Sequence, residues 1–421
     1  MEKRKIREIA DLSTGYPFDG NMYSSEGMRV LRGENIGNGE LDFCERKDKR
    51  WNNEFPKADY YSLRENDIVM QMDGNVGKNK TKLSCFDIPM YIAQRVGCLR
   101  AKEGYSQDYL YYAICSNEFQ RYVDSIKTGT SIKHISLEQI GDYTLTVYNY
   151  NTQKKIGETL SLIDSKIAHN TRINAELEAM AKQLYDYWFV QFDFPDKDGK
   201  PYKSSGGKMV YNETLKREIP ESWEVKNMNQ LAESFRGVTY NKEDLVSESD
   251  DSILVLRGNN IPRSGQFAYD SNVAYIPREM VSVEQRLNKG DIIITMSSGS
   301  KEHIGKCFMF QYDSKHTFGA FLSKFVPHEE CRYYVYLSML SDYFKAFVKT
   351  TCNGTGINNL TIDTFNNVFF AVPSFAILSE FEKLAESIYN KVGLSQKTIY
   401  DLTNLRDSLL PMLMNGQVIV E

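Results

Sequence analysis

A chain of 421 residues is long enough for about two or three domains, and its 41% hydrophobic and 25% charged residues are ordinary for a globular protein. The formal net charge of −5 argues against a uniformly basic nucleic-acid binder, so any such function has to use local basic patches or partner subunits. The seven cysteines form no C-x-x-C pair, and no apolar run has the length of a membrane span. Residues 1–8 are charged and lack the apolar core of a signal peptide, so we expect a cytoplasmic protein with reduced thiols.

The chain contains an internal repeat with an offset of about 225 residues. Five blocks recur in one order: Val30–Ile36 and Val255–Ile261, Leu63–Val69 and Leu287–Ile293, Gly77–Lys78 and Gly305–Lys306, Thr128–Ile132 and Asn353–Ile357, Ile135–Val147 and Leu360–Val372. Such order at nearly one offset indicates a duplication rather than two unrelated domains that share turn sequences. The segments between the blocks diverge, which suggests one scaffold with two different target-binding surfaces, although neutral drift would also produce divergence.

Each half is predicted to be a strand-rich head. The apolar runs Ile68–Met72 and Ile292–Met296 follow an acidic residue and lead into a glycine-containing loop, as buried strands often do. Helical periodicity with many aromatic residues follows, and a short closing strand ends each head (residues 109–123 and 143–147; 333–348 and 368–372).

A long amphipathic helix is predicted after each head. Residues 152–190 contain no proline, and their apolar positions recur at alternating spacings of four and three, which is the pattern of a coiled coil. The second copy begins near Leu378, and the natural partner of each apolar seam is the other helix, in antiparallel orientation. Asn170, Asn174 and Ser395 interrupt the seam, and they either fix its register or face solvent or a third chain.

A polar, turn-rich linker joins the first helix to the second head. Trp188–Phe189 before it and Ile219–Trp223 after it are interpreted as buried anchors or as a docking surface for another subunit. The predicted boundaries are a first target-recognition head at 1–150, a first long helix at 151–192, a linker and lead-in at 193–222, a second head at 223–373 and a second long helix at 374–415.

Catalytic and metal-binding motifs are not recognisable in the sequence. It has no G-x-x-x-x-G-K-[ST] phosphate loop, no Asn-Pro-Pro-aromatic loop of an amino-methyltransferase and no histidine pair with metal-ligand spacing. Pro195–Asp196 near Lys197 and Lys200 superficially resembles a nuclease motif, but a charged linker explains it. We therefore expect no catalytic residue, metal or cofactor in this chain.

Polar and basic side chains concentrate in the loops after the strand blocks. Glycine-rich turns let backbone N–H groups approach phosphates, while Lys, Arg, Asn and Gln can neutralise phosphates or bind base edges. The alternative is that these are ordinary solvated loops. The candidate DNA-binding residues of the first half are Arg32, Asn35, Gln71, Asn75, Lys78, Lys80, Lys82, Lys127, Thr130, Ser131, Lys133 and His134. Those of the second half are Arg257, Asn259, Asn260, Ser297, Ser298, Lys301, Lys306, Lys349, Asn353, Thr355 and Asn358.

The order of these features resembles the specificity (S) subunit of type I restriction–modification systems. The resemblance is carried by Leu-Arg-Gly-x-Asn-Ile, the acidic strand block, the Gly-Thr-x-x-Ile turn, the long helix, Trp188–Asp193 and Ile219–Glu224, and it covers essentially the whole chain. One departure is that the first half lacks the Ile-Pro-x-x-Trp lead-in of the second, which suggests a short or alternative N-terminus and leaves the packing of residues 1–12 open.

The resemblance implies an α+β fold in which two similar target-recognition domains are joined by two long antiparallel helices forming a coiled coil, with pseudo-twofold internal symmetry. It implies that each head reads one half of an asymmetric bipartite site in double-stranded DNA and that the helices set the spacer. Two methyltransferase subunits would dock on this frame, with or without restriction–translocase subunits, and S-adenosylmethionine would bind the methyltransferase. The chain itself would then be no enzyme. Two alternatives are the specificity subunit of a methylation-only or two-component restriction system, and a coiled-coil protein scaffold that never contacts DNA.

Overall fold

The computed structural model describes residues 2–261, 273–299, 301–352 and 358–418. The chain divides into two compact units, of which the first contains residues 1–167 and 400–421 and the second contains residues 168–399. Each unit therefore combines one head with one segment of each long helix. In the part of the chain that the structure describes, no helix is both long enough and apolar enough to span a membrane.

The first head consists of short helices and short strands, and the strands form three sheets. Its strands are β1 (Glu2–Lys5), β2 (Ala10–Thr14), β3 (Met28–Leu31), β4 (Arg50–Trp51), β5 (Ile68–Gln71), β6 (Lys80–Lys82), β7 (Met90–Ile92), β8 (Val96–Ala101) and β9 (Thr144–Val147). Its helices are α1 (Ile6–Ile9), α2 (Gln107–Cys115), α3 (Asn117–Ile126) and α4 (Leu137–Asp142), followed by the long helix α5 (Tyr150–Tyr185). The sheet orders are β2-β8-β5-β6, β4-β3-β7 and β1-β9, and only the β3–β7 pair is parallel among these strands.

In the second unit a hairpin precedes the head, and the strands of the head form counterparts of the three sheets of the first head. Its strands are β10 (Met209–Asn212), β11 (Arg217–Pro220), β12 (Glu224–Asn227), β13 (Ala232–Arg236), β14 (Ser252–Leu256), β15 (Ala274–Pro277), β16 (Ile292–Thr295), β17 (Ser297–Ser298), β18 (Cys307–Met309), β19 (His316–Phe318), β20 (Leu322–Pro327), β21 (Asn358–Asn359) and β22 (Phe369–Val372). Its helices are α6 (Arg332–Leu340), α7 (Asp342–Thr351) and the long α8 (Phe375–Met414). The orders β13-β20-β16-β18, β15-β14-β19 and β12-β22 match those of the first head, and the β14–β19 pair is again parallel. The predicted duplication is thus confirmed strand by strand.

The apolar runs that mark each repeat lie between two hydrophobic layers. In β5, Ile68 and Met70 face the layer that contains the helices, whereas Val69 faces a second cluster on the other side of the sheet. In β16, Ile292 and Ile294 likewise face the layer that contains the helices, whereas Ile293 faces the cluster on the other side. Because both faces of these strands are buried, the runs are continuously apolar rather than alternating.

The acidic residue before each of these strands has a buried carboxylate that forms an ion pair. Asp67 lies 2.6 Å from Arg100 on β8, and Asp291 lies 3.2 Å from Lys324 on β20. Both aspartates also accept a backbone N–H from the preceding turn, at 2.8 Å in each head. Burial raises the pKa of Asp291, and its bonds to Asn288 and Lys324 oppose that rise. The repeated acidic residue therefore serves the scaffold.

Each predicted aromatic helical segment is two helices rather than one. Ser116 ends α2 and caps α3, since its hydroxyl accepts the N–H of Phe119 at 3.2 Å. Ser341 does the same between α6 and α7 through Phe344 N, also at 3.2 Å. A serine in a helix N-cap position satisfies a free backbone donor, and this favours the break.

The long helices pair in antiparallel orientation within each unit, as predicted. In the first unit Arg406 bonds Asp164 at 2.9 Å, while Tyr148, earlier in the chain, donates to the carbonyl of Leu413, later in α8, at 3.4 Å. In the second unit Ser395 Oγ donates to Asn170 Oδ1 at 3.2 Å. These two polar seam residues are repeat counterparts and they bind each other, which answers the question of whether they face solvent.

The end of α8 supplies the first head with the counterpart of the Trp188–Phe189 anchor. In the second unit Trp188 and Phe189, in a π-helical turn after α5, are buried with Trp223, so the anchor interpretation is correct. Their repeat counterparts, Leu413 and Met414, are buried in the core of the first head. The first head itself starts directly with β1, which pairs with β9 as β12 pairs with β22.

Candidate nucleic-acid interface

Two predicted loops of the first head lie side by side. Gly74 N in the loop after β5 donates to Lys133 O at 2.7 Å, and Ile135 N donates to Met72 O at 3.0 Å. Asp73 holds this junction together, because its carboxylate binds His134 Nδ1 and lies 3.3 Å from Nε of Arg95. Both loops contain candidate DNA-binding residues in the sequence, and the fold brings the two loops together into one surface.

The second head builds the same junction with neutral residues. Ser297–Ser298 (β17) pair antiparallel with Asn358–Asn359 (β21), and Leu360 N donates to Met296 O at 2.8 Å. Asp73 and His134 of the first head thus correspond to Ser297 and Asn359. The surface is retained while its charge changes.

The candidate residues differ in how accessible they are on these surfaces. The exposed ones are Asn75, Lys78, Thr130, Ser131, Lys133, Asn259 and Lys349. The half-buried ones are Arg32, Gln71, Lys82, Lys127, His134, Arg257, Ser297, Ser298 and Lys306. Residues Asn353 and Thr355 and the side chains of Lys301 and Asn358 lie outside the described part of the chain.

Several accessible candidates already have protein partners. Lys133 Nζ donates to the carbonyl of Gly129 at 2.7 Å, and Lys127 pairs with Asp124 at 2.5 Å. Gln71 Oε1 accepts a hydrogen bond from Asn79 at 2.7 Å. These bonds are exposed or half-buried and worth little in water, so DNA phosphates can compete for the same donors.

Two predicted phosphate ligands are placed elsewhere. Lys80 is 5% exposed, its ammonium donates to the carbonyl of Gly77, and burial lowers its pKa. Lys82 forms an ion pair with Asp108 at the start of α2. Lys80 and Lys82 are two residues apart and so lie on the same face of β6, which packs against α2 through Asp108 and against α3 through Phe119. This corrects the expectation that Lys80 and Lys82 face DNA.

The Leu-Arg-Gly-x-Asn-Ile motif is a structural turn rather than a base-reading segment. Asn35 is 0% exposed, and its Oδ1 accepts the N–H of Arg32 at 2.9 Å. Its amide also donates to the carbonyls of Asp42 and Lys47 at 3.0 and 3.1 Å. Asn260, which is buried as well, accepts the N–H of its own arginine at 2.9 Å. Neither asparagine can reach DNA while the turn is folded.

Sequence reasoning missed one accessible position in each head. Arg95 and Phe321 directly precede β8 and β20, and their side chains are 63% and 70% exposed. No sequence pattern distinguishes them, because a phenylalanine beside a strand is usually part of the core. A comparison of the two repeats at this position would have revealed the change from arginine to phenylalanine.

A protein-family model described as the type I restriction modification DNA specificity domain matches residues 1–179 and 220–400. The chain belongs to the type I restriction–modification specificity family. The two matched segments coincide with the two repeats, so the specificity subunit carries the family's domain twice.

Relatives and a solved structure agree with this assignment. The specificity subunit of the type I restriction enzyme MjaIX from Methanocaldococcus jannaschii is 25% identical over 322 residues, which cover 76% of this chain and 71% of the relative. The HindI specificity subunit from Haemophilus influenzae is 24% identical over 384 residues, covering 74% and 77%. The crystal structure of a type I S subunit from M. genitalium matches with a TM-score of 0.57 and 17% identity over 98% of this chain and 96% of that one, and so shows the same fold.

Proposed function

We propose that each head of this specificity subunit reads one half of an asymmetric, bipartite site in double-stranded DNA. The observation that carries the proposal is the repeated loop junction with different side chains. The first head presents Asp73, Arg95 and His134, where the second presents Ser297, Phe321 and Asn359. One frame with two chemistries suits two different half-sites, because base identity is read through the donors, acceptors and methyl groups in the major groove.

The long helices set the spacer and bind two methyltransferase subunits in this proposal. Exposed apolar residues at equivalent positions of the repeat support two copies of one partner: Tyr150 corresponds to Phe375, and Met180 corresponds to Leu405. The methyltransferase brings S-adenosylmethionine and the catalytic residues, and the chain itself is not an enzyme. Partner subunits also supply positive charge that a chain with a net charge of −5 lacks.

Methylome sequencing of a host with and without this gene and its methyltransferase partner tests the proposal. We expect one methylated motif with two different half-sites at a fixed spacing. Exchange of residues 1–150 for the first head of a relative should change one half-site and leave the other intact. If both half-sites stayed unchanged, the heads would not be the readers. If the complete complex bound no duplex at any salt concentration, a protein scaffold would be the better description.

A further inference from the structure

The residue before the central strand β8 or β20 is fixed directly against the candidate DNA-facing loop. In the first head, the carbonyl of Arg95 accepts the N–H of Met72 at 3.1 Å. In the second, the carbonyl of Phe321 accepts the N–H groups of Met296 and Ser297 at 2.9 and 3.2 Å. The backbone at both positions is therefore held by the sheet, and only the side chain differs.

Both side chains project from this rigid backbone into solvent. The ring of Phe321 is 70% exposed, although Leu322 beside it is completely buried. Arg95 is 63% exposed, and Asp73 holds its Nε edge at 3.3 Å. A carboxylate behind an arginine limits the conformations of the guanidinium, so less freedom is lost when the guanidinium binds a base.

We propose that this position is a base-reading position in each head, at which Arg95 binds a guanine and Phe321 contacts the methyl group of a thymine. The inference rests on the proposed function. Arginine is suited to the N7 and O6 acceptors of guanine in the major groove, and an apolar side chain is suited to the C5-methyl group of thymine. The change from arginine to phenylalanine then helps to make the two half-sites different.

Replacement of single thymines by deoxyuridine, which lacks the methyl group, tests the role of Phe321. Binding of the complete complex with its methyltransferase is measured on the duplex identified by methylome sequencing. We expect one deoxyuridine position in the half-site of the second head to weaken wild-type binding by about fourfold, as expected for one buried methyl group. The same replacement should have no effect on the Phe321→Ala complex, and Phe321→Leu should retain part of it.

Replacement of single guanines by 7-deazaguanine, which lacks the N7 acceptor, is the matching test for Arg95. One position in the other half-site should weaken wild-type binding by about tenfold and have no effect on Arg95→Ala. Tyr211→Ala is the control, because Tyr211 is an exposed aromatic residue in the β10–β11 hairpin and outside both loop junctions. Its complex should respond to both base analogues like the wild type.

The outcomes separate this inference from the function on which it rests. Suppose that the wild-type complex binds its bipartite site. If Phe321→Ala keeps every deoxyuridine effect of the wild type, the role of Phe321 is wrong, and if Arg95→Ala keeps every 7-deazaguanine effect, the role of Arg95 is wrong. In either case the proposed function stands. A half-site of the second head without any thymine would also overturn the role of Phe321. If the wild-type complex selects no bipartite site, the proposed function fails first.

Discussion

At the scale of single residues, Lys78, Lys80 and Lys82 show how strongly the local fold divides similar side chains. Lys78 lies in the turn between β5 and β6 and is exposed. Lys80 is buried against Gly77 and the ring of Phe119, which lies 5.9 Å from its ammonium. Lys82 is engaged by Asp108. Of these three lysines, Lys78 alone is exposed.

Lys78→Ala should weaken DNA binding by the complete complex at all sequences and lower its dependence on salt. Loss of one phosphate contact reduces the slope of log K against log salt by about 0.9. Titrations at several salt concentrations measure this slope. Lys80→Met is the control, since it removes a buried lysine and should leave the slope unchanged. An equal slope for Lys78→Ala and the wild type would show that this turn does not face DNA.

Asn35→Ala should unfold the first head more easily and have no specific effect on base preference. The substitution leaves one backbone N–H and two carbonyls without the partners that Asn35 now supplies, at a cost of about 1–3 kcal/mol. Urea unfolding measures the loss. Asn75→Ala is the matched control, because Asn75 is exposed and its removal should not change stability. Normal stability of Asn35→Ala would contradict the structural role.

At the scale of elements, the junction of the long helices with each head is filled by different chemistry. In the first unit Tyr112 donates to Asp164 at 2.7 Å, and Arg406 neutralises the same carboxylate. In the second unit Tyr336, the repeat counterpart of Tyr111, lies near Tyr389 and Glu178, and burial raises the pKa of both tyrosines. Burial also raises the pKa of Glu178 to about 7. Where the long helices meet the head, the first unit contains a charge pair, whereas the second unit contains a poorly solvated carboxyl group.

The second unit should therefore lose stability as the pH rises from about 4.5 to 7. The folded state holds the proton of Glu178 more tightly than the unfolded chain, whose ordinary pKa is 4.5, so stability is greatest below that value. Glu178→Gln should add about 1–3 kcal/mol at pH 8 and little at pH 4.5. Thermal unfolding at both pH values measures the difference.

Glu178→Gln and its control, Glu176→Gln, should differ in how their stability depends on pH. Burial raises the pKa of Glu382 to about 7 as well, so Glu178→Gln should reduce the pH dependence without abolishing it. Glu176→Gln changes an exposed carboxylate on the same helix and should behave like the wild type. A gain at pH 4.5 as large as that at pH 8 would mean that packing, and not the charge of Glu178, limits stability.

The elements themselves were largely predictable, and the roles of individual polar residues were not. Heptad spacing and apolar runs are local patterns, so they are sufficient to predict the long helices, strands β5 and β16 and the antiparallel seam. The contacts that decide the role of a polar residue join distant parts of the chain. Asp73 meets His134 and Lys82 meets Asp108, and these pairings depend on how sheets and helices stack. Asn35 was a candidate because it is a polar residue near a glycine turn, but in both repeats this turn buries its asparagine to bond the N–H of the preceding arginine.

At the scale of the whole molecule, the first head depends on the other end of the chain. Leu413 and Met414 fill its core at the position that Trp188 and Phe189 occupy in the second unit. No local pattern reveals this contact, because it joins residues 265 positions apart, as the hydrogen bond from Tyr148 to the carbonyl of Leu413 shows. The repeats are thus complete only when the last helix returns to the first head, and both long helices contribute to each unit.

Heptad insertions test whether the helices set the spacer of the DNA target. Asn170 and Ser395 are repeat counterparts that bind each other, so seven residues added after each of them lengthen both helices and keep the seam in register. Such an insertion adds about 10 Å at 1.5 Å per residue, or about three base pairs at 3.4 Å each. Methylome sequencing should show unchanged half-sites with a spacer longer by about three base pairs. An insertion in α5 alone is the control, and it should abolish or shift recognition because the two helices no longer match. An unchanged spacer in the double insertion would mean that the heads, and not the helices, determine the gap.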